Sequence, residues 1–203
     1  MNQLYKDYVY IDEVGRGCAA GPMVFCGLKL KTDEVNVRVK DSKKLNKQTR
    51  EDLDNWIKKN SDYYLVVTSA KEIDEVGLSD SIKKSLNEII THFKEKDKTQ
   101  KFLYDGNKTF GVDCNDLETL VEADDKVFGV SCASILAKNL KDELMEEIHR
   151  KFPEYNFKDN AGYLTSEHIE KIKEIGYCDE HRKSYRIKEI EKEENKKKTD
   201  FLF

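Results

Sequence analysis

Proline is scarce in this chain: Pro22 and Pro153 are the only two in 203 residues. Proline blocks helix interiors and central strands, so most of the length is open to regular structure. No run approaches the ~18 consecutive apolar residues that a membrane span needs. The opening residues, MNQLYKDYVYIDE, lack the basic region and apolar stretch of a secretory signal, and the expected setting is the cytoplasm. The five cysteines, Cys18, Cys26, Cys114, Cys132 and Cys178, are odd in number and scattered, without a C-x-x-C pair. That spacing argues against a zinc site or a disulfide framework. They read as small buried apolar residues in a reducing compartment. There is no Ser/Gly linker before the tail and no internal repeat. Positive charge is not in excess either, since 36 Lys and Arg against 40 Asp and Glu leave a net charge of −4. A nucleic-acid partner would therefore need a local basic patch rather than a basic surface.

What is present suits one α/β domain over residues 1–186 and a charged tail over 187–203. Tyr8 to Glu13 and Met23 to Leu30 are rich in β-formers and lie a glycine-rich turn apart, which predicts antiparallel pairing. Tyr63 to Thr68 and Lys101 to Asp105 read as further strands, and Leu117 to Ala123 as another that reaches Asp124. Asn46 has the character of a helix N-cap before Leu53, Trp56 and Ile57. Ser79 or Ser81 is expected to cap a helix carrying Ile82, Leu86, Ile89, Ile90 and Phe93 on one face. A long helix is predicted from Val127 to Phe152, with Leu136, Leu140, Leu144 and Ile148 spaced i, i+4 and Ala133 and Ala137 permitting close approach to a sheet. Thr165 is placed to cap a last helix that runs to Ile175.

Acids stand at the ends of three of these strands: Asp12-Glu13, Asp105 and Asp124. Strand ends gather functional groups because the sheet fixes them while loops give access. Two like charges ~4 Å apart repel by about 1 kcal/mol in water and by ~4 kcal/mol at an effective dielectric near 20. A convergent set of four therefore calls for cations. Oxygen ligands without His or Cys partners suit magnesium or manganese, and two such ions ~3.5–4 Å apart serve phosphodiester hydrolysis. Against this stands the number of acids, 40 in all, which makes chance placement at strand ends common.

Gly15-Arg16-Gly17-Cys18-Ala19-Ala20-Gly21 follows the first strand and superficially resembles a dinucleotide-binding turn. Asp12 and Glu13 would repel a pyrophosphate there. The glycines also lead through Pro22 into a strand, not into a helix N-terminus that could hold phosphate. Exposed backbone amides beside a carboxylate nest fit the grip of a polymer's sugar or phosphate, although glycines can also serve only a tight turn with positive φ.

Several motifs occur together in one order: Asp12-Glu13-Val14-Gly15-Arg16-Gly17, Ala20-Gly21-Pro22, Asp41-Ser42-Lys43-Lys44-Leu45 and Asp105-Gly106-Asn107. They continue with Ala133-Ser134-Ile135-Leu136-Ala137-Lys138, Gly162-Tyr163 with Thr165 and His168, and His181-Arg182-Lys183-Ser184-Tyr185. This combination resembles the ribonuclease HII family, the type 2 ribonucleases H, over residues 8–186. Arg16 between its glycines favours type 2 over type 3, which carries Thr there. The resemblance implies a ribonuclease H-like fold, a central mixed β-sheet flanked by helices with a small helical C-terminal part. It implies cleavage on the 5′ side of a ribonucleotide in an RNA/DNA hybrid or in duplex DNA, leaving a 3′-hydroxyl and a 5′-phosphate. Asp12, Glu13, Asp105 and Asp124 would be the metal-binding catalytic acids for two Mg2+ or Mn2+ ions, with Asp12 bridging them.

By the same resemblance, Gly15, Arg16 and Gly17 would read the 2′-hydroxyl, the local mark of RNA. Tyr163 would pack on the sugar 3′ of the ribonucleotide, and Lys43, Lys44 and Arg182 would contact phosphates. Taken alone, each of these is as well explained as a surface or core residue. The chain departs from the family pattern where Glu122-Ala123 replaces Lys-Gly before Asp124, where Asn160-Ala161 replaces His-Lys before the tyrosine, and where Leu164 replaces a glycine. Weaker duplex affinity or altered preference is the expected result. A catalytically weak nucleic-acid-binding adaptor is the alternative reading, and a dinucleotide-dependent oxidoreductase is a distant third. The tail ends in Phe201-Leu202-Phe203, either a frayed or packed end or a motif for a DNA sliding clamp that lacks the expected glutamine. A monomer is the default expectation.

Overall fold

The computed structural model describes residues 7–39 and 45–191. Five strands form one mixed sheet: β1 (Val9–Val14), β2 (Met23–Leu30), β3 (Ser61–Thr68), β4 (Phe102–Asp105) and β5 (Leu117–Leu120), in the order β3-β2-β1-β4-β5. The short glycine turn makes β1 and β2 antiparallel, and β3 continues that pattern. β4 and β5 run parallel to β1; a helix-free loop joins β4 to β5, whereas the long connection from β1 to β4 carries β2, β3 and the first three of the seven described α-helices. The seven are α1 (Lys47–Lys59), α2 (Ala70–Val76), α3 (Leu78–Lys96), α4 (Ala123–Lys126), α5 (Phe128–Lys151), α6 (Phe157–Asn160) and α7 (Ser166–Ile175).

Side chains alternate across each strand, and this sorts the core into two layers. Tyr8, Tyr10, Val24, Cys26, Leu28 and Leu103 face Leu53 and Ile57 of α1 and Val130, Ala133, Leu136 and Ala137 of α5. Val9, Ile11, Met23, Phe25, Phe102 and Tyr104 face Ile73 of α2 and Ile82, Leu86, Ile89 and Phe93 of α3. Helix α5 can lie close to the sheet because Gly129 sits on the Tyr10 ring, where a Cβ would be 2.1 Å from the ring. A third cluster joins Ala19, Ala20, Met145, Ile148, Tyr155 and Phe157 to Ile172 of α7 and to Ile187 and Ile190. The C-terminal helical part therefore packs on the end of α5 and on the glycine turn. The expected boundary at Ile187 falls inside this packed region, since Ile187 and Ile190 are buried and the charged residues between them obscured an i, i+3 apolar pair.

Asn46 caps α1 by accepting from the Thr49 amide, and Thr165 caps α7 by accepting from that of His168. The expected serine cap of α3 is not there. The helix starts after Gly77, which takes φ +84°, and Ser81 is buried within it. A helix absent from the sequence reading, α2, opens with a reciprocal capping box between Ser69 and Glu72, a pattern visible in the sequence as S-x-x-E. Strand β5 stops at Leu120 instead of reaching Asp124, because Glu122 turns the chain in the left-handed region (φ +57°) and α4 begins. All five cysteines are free, with Cys18, Cys26 and Cys132 buried and Cys114 and Cys178 half-buried. Among the described residues no helix is long and apolar enough to cross a membrane.

Candidate active site

Strand register explains which acids meet. β1 and β4 are parallel neighbours with Ile11 beside Tyr104, so Asp12 and Asp105 are the next pair along. Both project to the α5 face, by alternation from Ile11 and Tyr104 on the other. Asp124 enters from α4, whose first amide, on Ala123, donates to Asp105 Oδ1 at 3.0 Å. One carboxylate oxygen from each of Asp12, Asp105 and Asp124 lies within 4.8 Å of the others. Helix α5 adds two serines, whose spacing in the sequence carries no sign of a role at the site. Ser134 hydrogen-bonds the Asp12 carboxylate, and Ser131 Oγ donates to the Asp124 carbonyl at 2.6 Å.

Asp12 and Asp124 are buried, at 5% and 4% exposure. Burial, followed by the charges of Glu13, Asp105 and Asp124, pushes the Asp12 carboxyl well above the usual carboxylate range, against the opposing pull of Ser134. Three hard oxygen donors with no imidazole or thiol among them are the donor set that magnesium or manganese prefers. A divalent cation would reverse the electrostatic conflict. The residues present therefore fit such an ion.

Glu13 is not in this trio, because its neighbour Asp12 occupies the α5 face and alternation sends Glu13 to the opposite one. There its carboxylate lies beside the Tyr104 phenol, whose pKa is raised by burial and then by Glu13. It also stands 3.8 Å from the Arg16 guanidinium, and Arg16 in turn rests 5.3 Å over the Phe110 ring. The strand-end acids are thus divided, three on one face and one on the other.

Within the glycine turn the two outer glycines of Gly15-Arg16-Gly17 have different reasons. Gly15 takes φ +94°, and a Cβ would come within 2.7 Å of Lys141 Cε and 2.8 Å of the Pro22 carbonyl. Lys141 lies wholly buried beneath it, and burial lowers its ammonium pKa to about 8. Gly17 is exposed, needs no positive φ, and a Cβ there would meet nothing within 4 Å. Its lack of a side chain leaves the backbone open to a visitor.

Arg182 is not where it was expected. It is 1% exposed and cannot reach a phosphate, because its guanidinium is spent on the glycine turn. Nε and Nη2 donate to the Gly21 carbonyl at 3.1 and 2.9 Å, and Nη1 donates to the Arg16 carbonyl at 3.0 Å. Tyr185 O–H reinforces the same Arg16 carbonyl at 2.8 Å. Tyr163 is 49% exposed, and its segment is joined to the turn, since the Ala19 and Ala20 amides donate to the Gly162 carbonyl at 2.9 and 3.2 Å. A Cβ on Gly162 would stand 2.1 Å from the Ala20 carbonyl. Asn160 and Ala161, which depart from the family pattern, build the turn before Tyr163: Asn160 Oδ1 accepts from the Gly162 amide at 2.8 Å, and Ala161 takes φ +49°. Lys43, Lys44 and the final Phe201, Leu202 and Phe203 lie outside the described residues.

A mixed sheet flanked by helices, with carboxylates converging where its parallel strands end, defines a ribonuclease H-like fold. The solved PCNA:RNase HII complex from Archaeoglobus fulgidus contains a chain of the same architecture, with a TM-score of 0.73 at 24% identity over 89% of this chain and 96% of that one. The family profile described as Ribonuclease HII matches residues 10–189. Ribonuclease HII from Aliarcobacter butzleri is 44% identical over 185 residues, 91% of this chain and 93% of that protein. The Campylobacter jejuni protein of the same name is 41% identical over 187 residues, covering 92% and 94%. The chain belongs to the ribonuclease HII family and is a ribonuclease H-type nuclease.

Proposed function

We propose that the chain is an endoribonuclease that hydrolyses the phosphodiester 5′ to a ribonucleotide, in RNA/DNA hybrids or in duplex DNA, and leaves a 3′-hydroxyl and a 5′-phosphate. Its expected work is repair of misincorporated ribonucleotides and removal of RNA primers. The observation that carries the reading is the juxtaposition of the Asp12, Asp105 and Asp124 cluster with a glycine turn whose Gly17 backbone is sterically open. Those three acids would hold the Mg2+ or Mn2+, and Glu13, whose charge reaches Asp12 from the other side of the strand end, would be the fourth member of a two-ion site. When bound, such ions activate water and stabilise a leaving oxygen.

The chain's own residues do the placing. Ser134 holds Asp12, and the α4 amide orients Asp105, so the donor oxygens are set before a cation arrives. Gly15, Arg16 and Gly17 present backbone groups to the 2′-hydroxyl, and Tyr163 offers an exposed ring for the next sugar. Because Arg16 touches both Glu13 and Phe110, the reading turn and the acid site are mechanically joined. Lys43 and Lys44 are proposed phosphate contacts, and Phe201, Leu202 and Phe203 a clamp-binding end. A chain ending at Lys198 that binds a sliding clamp as tightly as the full chain would remove that last idea.

The direct test is cleavage of a labelled DNA duplex carrying one ribonucleotide, with magnesium or manganese, beside Asp105→Asn. A single cut 5′ to the ribonucleotide that disappears in the variant is expected. Binding without cutting in either metal would favour the adaptor reading instead.

A further inference from the structure

Two histidines of the family-like motifs, His168 and His181, stand apart from the acid trio and are buried at 0% and 1% exposure. Their hydrogen bonds form a chain with one polarity. The Tyr163 carbonyl can only accept, and it lies 2.8 Å from His168 Nδ1, so that nitrogen carries the proton. The Cys178 amide can only donate, and it lies 2.9 Å from His181 Nδ1, so that nitrogen is bare and Nε2 carries the proton. The two Nε2 atoms are 3.0 Å apart. His181 Nε2–H therefore donates to the bare Nε2 of His168, and all four ring nitrogens find complementary partners only when both rings are neutral and of opposite tautomer.

The surroundings favour that state. The Tyr155 and Phe157 rings pack against both imidazoles, and Tyr177 packs against His181. The titratable groups that face the pair are the phenols of Tyr155 and Tyr177 and the Cys178 thiol, 3.1 Å from His181 Nδ1, with the Lys183 charge near His181. Burial lowers both imidazole pKa values, that of His181 to about 4. The backbone of His181 bridges to Ala20, and the next residue is Arg182, which holds the Arg16 and Gly21 carbonyls. One short segment thus reaches Tyr163 through the imidazoles and the glycine turn through the guanidinium.

We propose that His181 and His168 are positioning residues, a relay of complementary tautomers that fixes the Tyr163 carbonyl and so holds its ring in register with the Gly15–Gly17 turn for recognition of the ribonucleotide. The inference rests on the reading that Tyr163 meets the substrate sugar. The relay itself is tested without substrate, by long-range proton–nitrogen NMR of the full chain labelled with 15N-histidine at pH 7. An Nδ1–H tautomer for His168 and an Nε2–H tautomer for His181 are expected, and matching tautomers or a protonated ring would overturn the relay.

Its role is tested kinetically on the duplex with one ribonucleotide. His168→Leu, which removes the donor to Tyr163, should lower kcat/KM by roughly 10- to 100-fold, mainly through KM. His168→Asn, whose amide nitrogen falls near the Nδ1 position, should recover most of the loss. Adding Tyr163→Ala to His168→Leu should cost little more, as coupled residues do. Full additivity, an equal loss in the Asn and Leu variants, or a fall in kcat that tracks only the folded fraction measured by circular dichroism would each overturn the positioning role. A wild-type chain that cuts nothing would instead sink the nuclease reading, and the tautomers would still decide whether the relay exists.

Discussion

Asp105→Asn should make the chain more stable without divalent cations and less responsive to them. In the trio of Asp12, Asp105 and Asp124 the donor oxygens lie within 4.8 Å, where one pair of full charges repels by roughly 3.5 kcal/mol at an effective dielectric near 20. Hydrogen bonds from Ser134 to Asp12 and from the Ala123 amide to Asp105 offset part of this repulsion, which leaves about 1–3 kcal/mol to recover. Asparagine keeps the oxygen that accepts the Ala123 amide, so α4 stays capped and the change isolates charge. For a chain of 203 residues the gain corresponds to a rise in Tm of about 2–10 °C in chelator. Millimolar magnesium or manganese should raise the Tm of the wild type and move that of the variant far less. The assay is thermal unfolding by circular dichroism, with and without cation, at pH 7. A variant that melts at or below the wild-type temperature in chelator, and gains as much from the cation, would refute the claim that these acids repel one another and share an ion.

Gly17→Ala should leave Tm unchanged within about 1 °C, since a Cβ meets nothing there, while raising KM for the ribonucleotide duplex; Gly15→Ala, with φ +94° and Lys141 Cε in the way, should cost about 2–4 kcal/mol in denaturant unfolding. Arg182→Met should destabilise by about 3–5 kcal/mol, because the Gly21 carbonyl loses both its guanidinium donors and a buried network is cut. The buried histidines make stability depend on acid. Their folded pKa values lie below the ordinary 6.5, that of His181 near 4, so the unfolded chain binds more protons between those limits. Their contribution is complete above pH 6.5 and falls as pH drops toward 4, by about 1–3 kcal/mol for His181, and urea midpoints across that range measure it. A flat profile between pH 6.5 and 4.5 would show that the imidazoles are not held neutral.

Much of the fold could be read from the sequence because it rests on local periodicity. The i, i+4 stripe of Leu136, Leu140, Leu144 and Ile148 marks α5 to within a residue at each end, and Asn46 and Thr165 act as the caps their side chains suggest. The failures occur where tertiary geometry overrules local preference. Glu122 is forced into the left-handed region so that Asp124 can turn back toward Asp105, and no run of β-formers could signal that. The family resemblance makes Arg182 a phosphate contact; its role in the fold depends on the C-terminal segment lying against the glycine turn 161 residues earlier, a contact that has no local trace. Ile187 and Ile190 looked like part of a charged tail for the same reason.

The division of the acids follows from the simplest rule of strand geometry. Adjacent residues on β1 cannot face the same way, so Asp12 and Glu13, which read as a single acidic pair in the sequence, lie on opposite faces of the sheet. Asp12 is held from the α5 side by Ser134, whereas Glu13 is held from the α3 side, with Tyr104 and Arg16 about it. Arg16 is itself fixed through its carbonyl by Arg182 and Tyr185. The path from Glu13 through Arg16 to Arg182 and on through His181 and His168 to Tyr163 is therefore continuous in contacts. A disturbance from Arg16 onward should reach recognition before it reaches the Asp12, Asp105 and Asp124 trio, which α5 and α4 hold from their own side. Substitutions along that path from Arg16 onward should accordingly change KM and the choice between ribonucleotide and deoxyribonucleotide, and leave the cation-induced rise in Tm intact.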